Sequence, residues 1–307
     1  MVNNWPLIKR KVALQKRATI LQSIRTFFIE EGYLEVETPC RIPTPAPEAH
    51  LNAIPSGSWF LQPSPELCMK RMMAAGYQKI FQLCRCWRER ERGNQHLPEF
   101  TLLEWYRAGV DYYSLMEECE ALIQYVSTVI GLGQKIFFHG QEINLSGPWQ
   151  RVSVKEAFHR YTQTSLSEAL KRDRFDERVV QDIEPRLGIG KPMFMYDYPA
   201  QRGALARLKQ GDPSVAERFE LYIGGLELAN GFSELIDSEE QRKRFHLENE
   251  NRRSLGKSNY SIPDKFLEEL ESMPPSAGIA LGVDRLVMVF VDAKTIDEVV
   301  AFTPEEL

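Results

Sequence analysis

Arg88 closes an alternating apolar strand, Ile80 to Arg88, and a charged, Gly-containing loop follows it. A second strand, Glu99 to Arg107, then runs back. Because side chains in a strand alternate between faces, Phe100, Leu102, Glu104 and Tyr106 point one way. A carboxylate and a phenol on one sheet face, beside a guanidinium aimed at the loop, suit a small cation bound next to a polyphosphate. A plain hairpin with ion pairs on its tip carries the same charge density. The reading therefore depends on which other residues join this one.

Two further places could. Glu220 and Glu227 flank Gly224-Gly225, a hairpin-turn dipeptide. A two-residue turn sets Tyr222 opposite Glu227 and Glu220 opposite Ala229, so both acids share a face. Paired carboxylates beside a triphosphate suit Mg²⁺, which takes few protein oxygens and completes its shell with phosphate and water. Arg285 sits in the first turn of an apolar helix that follows a buried strand, Gly278 to Gly282. Free backbone N–H groups and the helix dipole favour phosphate there, and Gly282 lets a nucleotide approach closely.

The elements that must position these residues read as follows. Val12 to Glu31 is a helix with Leu14, Ile20, Leu21, Ile24, Phe27 and Phe28 at helical spacing, stopped by Gly32. Tyr33 to Glu37 is a short strand, and the proline-rich stretch from Arg41 to Ser58 is loop. Ser64-Pro65-Glu66 reads as N-cap, first helical residue and first-turn acid of a helix ending near Gly76. A helix spans Tyr113 to Ile130, and residues 150–190 form a mostly helical insertion. Pro192 to Tyr198 is a buried strand, and Phe219 to Ile223 pairs with Leu226 to Leu235. Charged helices cover Asp237 to Leu255 and Asp264 to Met273. Hairpin-joined strands with helices around them mean an α+β fold with a largely antiparallel sheet, expected as one domain over residues 1–307.

Composition narrows the class. Hydrophobic residues at 43% and charged residues at 26% are ordinary for a globular protein, and no apolar run approaches the ~20 residues of a bilayer span. The N-terminal Met-Val-Asn-Asn-Trp-Pro segment has no signal-peptide core. Five cysteines without framework spacing point to reduced thiols and a cytoplasmic protein. A net charge of −5, with no basic tract interleaved with aromatics, argues against wrapping nucleic acid.

Three separated segments, Gly32-Tyr33-Leu34-Glu35-Val36-Glu37-Thr38-Pro39, the hairpin, and Gly278-Ile279-Ala280-Leu281-Gly282-Val283-Asp284-Arg285, together resemble motifs 1, 2 and 3 of class II aminoacyl-tRNA synthetases. The words Ser64-Pro65-Glu66, Pro98-Glu99-Phe100-Thr101, Leu103-Glu104-Trp105-Tyr106 and Glu227-Leu228-Ala229-Asn230-Gly231-Phe232-Ser233-Glu234 resemble the lysine branch. That resemblance implies an adenylation site with Arg88 and Arg285 as catalytic residues. It implies ATP contacts at Glu89, Arg90, Glu91, His96, Phe100, Glu220, Leu221 and Gly282, and Mg²⁺ at Glu220 and Glu227. The amino acid would meet Ser64, Pro65, Glu66, Glu104, Tyr106, Glu227, Asn230, Phe232, Glu234 and Ala280. Glu66 and Glu104 would hold the amino group near the carboxylate, and Tyr106 and Glu234 the ε-ammonium. Strict alternation leaves Glu227 on the face opposite Asn230, Phe232 and Glu234, so a bulge is expected at Ala229–Gly231.

Too few residues precede the first motif for the anticodon-binding OB-fold of lysyl-tRNA synthetases. A bare lysine-type core resembles the elongation factor P–(R)-β-lysine ligase family, which implies elongation factor P rather than tRNA as acceptor. Ser64 and Ala280 stand where lysyl-tRNA synthetases usually carry alanine and glycine. Glu91 and Leu97 depart from the usual Arg-x-Glu and His-Asn-Pro-Glu-Phe. A free-standing enzyme acting on tRNA or another acceptor, and a silent nucleotide- or lysine-binding paralogue, remain alternatives. Motif 1 of the class builds a dimer interface, which implies a homodimer through Leu21 to Pro39.

Overall fold

The computed structural model describes residues 5–203 and 205–307, so Met1–Asn4 of the N-terminal segment lie outside the described residues. Its main sheet has nine strands: β1 (Leu34–Glu35), β2 (Lys79–Trp87), β3 (Glu99–Ala108), β4 (Gln150–Ser153), β5 (Met193–Pro199), β6 (Leu208–Lys209), β7 (Asp212–Ile223), β8 (Leu226–Ser233) and β9 (Ser276–Gly282). Across the sheet the order is β1-β2-β3-β9-β8-β7-β5-β4, with β6 on β7. Only β1–β2 and β5–β4 are parallel, so the expected antiparallel α+β architecture stands.

Period-two alternation divides the sheet into two faces. Leu103 and Trp105 of β3 and Ile279 and Leu281 of β9 enter one core with α1 (Trp5–Glu30), α3 (Tyr112–Val129) and α6 (Val283–Val291). There Phe28 of α1 stacks on Phe81 at 4.8 Å. On the other face α2 (Glu66–Ala74), α4 (Ser238–Ser254) and α5 (Asp264–Leu270) bury Met69, Met73, Phe245 and Phe266 against Ile80 and Tyr106. A separate core joins the helical segments between Val154 and Arg186 to Met195 and Tyr222. No described helix is long and apolar enough to cross a membrane.

Several local expectations change. The stretch from Arg41 to Ser58 is not all loop: Arg41–Ile42 and Pro55–Ser56 both pair with Trp59–Leu61 in a small sheet. The strand expected at Tyr33 to Glu37 shrinks to Leu34–Glu35. Pro65 is the N-cap of α2 rather than its first helical residue, and Ser64 Oγ accepts from the Glu66 N–H at 3.0 Å. Gly224 (φ +61°) and Gly225 (φ +77°) do make the two-residue turn, for which positive φ at both positions is required.

The bulge lies elsewhere than expected. Gly231 pairs regularly with Phe219 and Ile279, and the register slips where Leu221 faces Ala229 but Tyr222 faces Glu227. Leu228 is the extra residue, and Glu220 faces Asn230 instead of Ala229. Gly231 serves packing rather than bending: a Cβ there would stand 2.7 Å from Phe219 Cζ and 2.9 Å from Ile279 Cβ. The displaced bulge has the consequence that the expected one was meant to have. Glu227 joins the face of Asn230 and Phe232.

Candidate active site

Register alone lays out the floor of the site. Gln82, Glu104, Ala280, Asn230 and Glu220 form one row across five strands, and Ile80, Tyr106, Gly278, Phe232 and Arg218 form the next. These rows floor a cavity of about 430 Å³. The expected residues Ser64, Glu66, Arg88, Glu91, His96 and Phe100 border it, with Glu104, Tyr106, Glu227, Asn230, Phe232, Ala280, Gly282 and Arg285. Hairpin, motif 3 helix and α2 thus meet at one place.

At one end three acids converge around a cation. Lys70, 1% exposed, places Nζ 2.6 Å from Glu66 Oε1 and 2.5 Å from Glu234 Oε2, over the Phe232 ring. The contact to Glu234 is off the hydrogen-bonding direction, and neither Glu234 oxygen has a well-directed donor. Burial works against the Lys70 charge, yet Glu234 and Glu66 outweigh it and raise its pKa. Ser64 Oγ donates to Glu104 Oε1 at 2.5 Å, and Tyr106 Oη donates to Glu104 Oε2 at 2.9 Å. Burial, then the neighbouring Glu66 charge, pushes Glu104 up to about 7. Burial pushes Glu234 up to about 8 against the pull of Lys70. Buried carboxyls held this way favour a cationic guest, which restores their charged form. Gly278 makes the floor possible, because a Cβ there would fall 2.3 Å from Tyr106 Cε1 and 2.5 Å from Glu234 Oε1.

The other end is basic. Arg88 lies over Phe100, 4.9 Å from the ring centroid, and its buried Nε has no hydrogen-bond partner. Such an orphan donor is costly unless an acceptor such as a phosphate oxygen arrives. Arg285 donates from Nη1 to the Glu227 carbonyl at 2.8 Å and meets His96 Nε2 at 2.5 Å. Burial and Arg285 lower the His96 pKa, so the neutral ring accepts from the guanidinium. His96 is therefore part of the site rather than a free loop histidine.

Glu220 is tied down behind the cavity by Arg218 at 2.6 Å, Tyr198 Oη at 2.5 Å and Tyr222 Oη at 2.6 Å. Glu184 lies near enough to Glu227 and Glu220 that, with burial leading, its carboxyl rises to about 7. Among the described residues no three His, Cys, Asp or Glu side chains surround one metal-sized point. Crowded carboxylates with a free oxygen on Glu227 nevertheless fit the modest ligand demand of Mg²⁺.

Some expected residues fall outside the cavity. Leu221 alternates with Glu220 and is buried in the opposite core, so its side chain makes no pocket wall. Glu89 and Arg90 are exposed at the hairpin tip, where the Glu89 N–H donates to the Asn52 carbonyl at 2.7 Å. Pro65 only caps α2. Lys70, Glu48, Arg218 and Gly278 were not foreseen. A helical lysine and a loop glutamate carry no local mark of burial, although Gly278 lay within a motif already singled out.

Residues 8–306 match the family model of class II tRNA synthetases (D, K and N). An elongation factor P–(R)-β-lysine ligase of Hamiltonella defensa is 41% identical over 98% of both chains. Ligases of the same name from an Enterobacter species and from Pseudoalteromonas translucida are 40% identical over 94% of both chains and 38% identical over 98% of both chains. With the pocket geometry and these matches in hand, the chain belongs to the class II tRNA synthetase family of the D, K and N type.

Proposed function

We propose that this enzyme activates (R)-β-lysine, or lysine, with ATP as an aminoacyl-adenylate and transfers it to a lysine side chain of elongation factor P. The observation that carries the reading is one cavity lined by the carboxyls Glu66 and Glu104 at one end, with buried Glu234 behind them on Lys70, and by Arg88 and Arg285 at the other. A diamino acid needs acids for its two ammonium groups, and its carboxylate must face a phosphate. The names of the similar ligases support the acceptor.

In the first step the substrate carboxylate forms a bond to the α-phosphorus of ATP and pyrophosphate leaves. Arg88 and Arg285 stabilise the charge that builds on the phosphoryl oxygens. Glu227 would hold Mg²⁺, which neutralises phosphate charge when bound, and Glu220, on the same sheet face with both oxygens already bonded, would reach the ion only by giving up Arg218 or a tyrosine. In the second step a neutral acceptor amine attacks the mixed anhydride, AMP leaves and an amide forms. Positioning and electrostatics supply the catalysis, with no covalent enzyme intermediate.

We also propose that the whole chain works as one catalytic unit and pairs as a homodimer. Exposed Ile29 and Leu34, within the motif 1 stretch, support that face as the contact.

Arg88→Ala is expected to abolish pyrophosphate exchange, and near-wild-type exchange removes Arg88 from the mechanism. Incubation with elongation factor P and with tRNA, followed by mass measurement of both, identifies the acceptor. A mass gain on tRNA alone overturns the protein-ligase reading.

A further inference from the structure

Glu48 belongs to none of the motifs, yet it borders the cavity. Its backbone is fixed from behind. Arg252, buried near the end of α4 and stacked on Tyr260 at 4.0 Å, donates from Nη1 to the carbonyls of Glu48 at 2.8 Å and Leu51 at 2.7 Å. The Ala49 N–H donates to Glu248 Oε2 at 2.7 Å, and Lys257 Nζ donates to the Ala49 carbonyl at 2.8 Å. Farther along, the Ala53 N–H donates to Tyr260 Oη at 2.8 Å.

This staked loop presents a carboxylate that makes no hydrogen bond or ion pair with any described residue. Burial, then Glu66, pushes it up to about 7, with Arg88 pulling the other way. A carboxylate held beside a like charge and left unpartnered opposes folding. Glu48 is half-buried and borders the cavity, and no described residue supplies a cation to it, so the partner it suits is a cation of the ligand.

We propose that Glu48 is a further substrate-binding residue, accepting the amino group that the diamino acid carries nearest its carboxylate. The assignment rests on the reading of the pocket as a lysine-type site. Tyr106 and Glu234 meet at Gly278, the end suited to the terminal ammonium. Glu48 has Glu66 and Arg88 as its strongest charged neighbours, and Arg88 marks where carboxylate and phosphate meet. Glu48 therefore senses the amine at Cα or Cβ and not the one at the chain end.

The test is pyrophosphate exchange by the wild type, Glu48→Gln and Glu48→Asp, with (R)-β-lysine and lysine as substrates. 6-Aminohexanoate, which keeps the carboxylate and the terminal ammonium but lacks the other amine, serves as competitive inhibitor. Loss of one charge-assisted contact should raise KM for both diamino acids in Glu48→Gln by about tenfold or more. KM for ATP and inhibition by 6-aminohexanoate should stay at wild-type values, and Glu48→Asp should recover part of the loss. A melting temperature at or above that of the wild type shows that the carboxylate is not structural.

Unchanged KM values overturn the proposal, as does a proportional weakening of 6-aminohexanoate or a variant that fails to fold. Exchange by the wild type with neither diamino acid overturns the lysine reading itself and Glu48's role with it. Wild-type exchange with an indifferent Glu48→Gln overturns only the latter.

Discussion

Lys70 Nζ stands 2.5 Å from Glu234 Oε2, an ammonium built into a pocket whose proposed guest brings ammonium groups of its own. The protein's cation also reaches Glu66 Oε1 at 2.6 Å, so it spans two acids and limits their mutual repulsion when no substrate is present. Removing it strands both. Lys70→Met should therefore destabilise the fold by about 3–5 kcal/mol near pH 8, the cost typical of unpairing a buried charge. Near pH 5.5 the loss should be smaller, because Glu234 can then be neutral. Denaturant unfolding at the two pH values measures this, and equal losses would remove the electrostatic account.

A pH dependence follows from the two raised carboxyls. Glu104 and Glu234 titrate in the folded protein at about 7 and about 8, against 4.5 for an ordinary glutamate. Between those limits the folded state holds more protons than the unfolded one, so stability falls as pH rises. Their contribution is complete below about 4.5 and fully lost above about 8. A dicationic substrate binds the deprotonated carboxyls, so its binding releases protons. The rise in melting temperature on adding lysine or (R)-β-lysine should therefore be larger at pH 8 than at pH 6.5, and KM should fall over the same interval. A flat or opposite trend would show that these acids do not meet the substrate's amines.

Much of this site was legible because strand alternation is a local property. Phe100, Leu102, Glu104 and Tyr106 do share the cavity face, as their spacing requires. The bulge was misplaced by sequence reasoning because Gly231 signals flexibility locally while its role is set by Phe219 and Ile279 across the sheet. Lys70 was invisible for a related reason. A Lys-Arg pair on a helix reads as solvent-facing, and only the packing of α2 over the sheet brings Lys70 between Glu66 and Glu234 while its neighbour Arg71 pairs outward with Glu269. Glu48 depends on Arg252, which is remote in sequence and announces nothing about a proline-rich loop.

Gly278→Ala tests whether Tyr106 and Glu234 must approach over the floor. The new methyl would fall 2.3 Å from Tyr106 Cε1 and 2.5 Å from Glu234 Oε1, well inside contact distance. One of these groups must swing away, and overpacking of this kind costs about 1–3 kcal/mol. KM for the diamino acid should rise sharply while KM for ATP stays near its wild-type value, since Arg88 and Arg285 lie at the other end. Equal damage to both would mean that the two ends of the cavity are not separable.

Ala280 lies in the row between Glu104 and Asn230, so its methyl projects from the floor where the substrate backbone should sit. Glycine there would deepen the floor beneath the carbon that bears the first amine. An amine on Cα lies closer to the carboxylate than one on Cβ, so in the proposed site the depth of this spot would select between them. Ala280→Gly should shift the ratio of kcat/KM for lysine over (R)-β-lysine towards lysine by about tenfold, because one methyl is worth ~1–3 kcal/mol of discrimination. A stability loss of roughly 0.5–1 kcal/mol should accompany it, from glycine in a strand interior. The ratio is read from pyrophosphate exchange with each isomer at limiting concentration. A ratio that stays fixed while both rates fall would assign Ala280 to strand stability alone, leaving isomer choice to the residues above the floor.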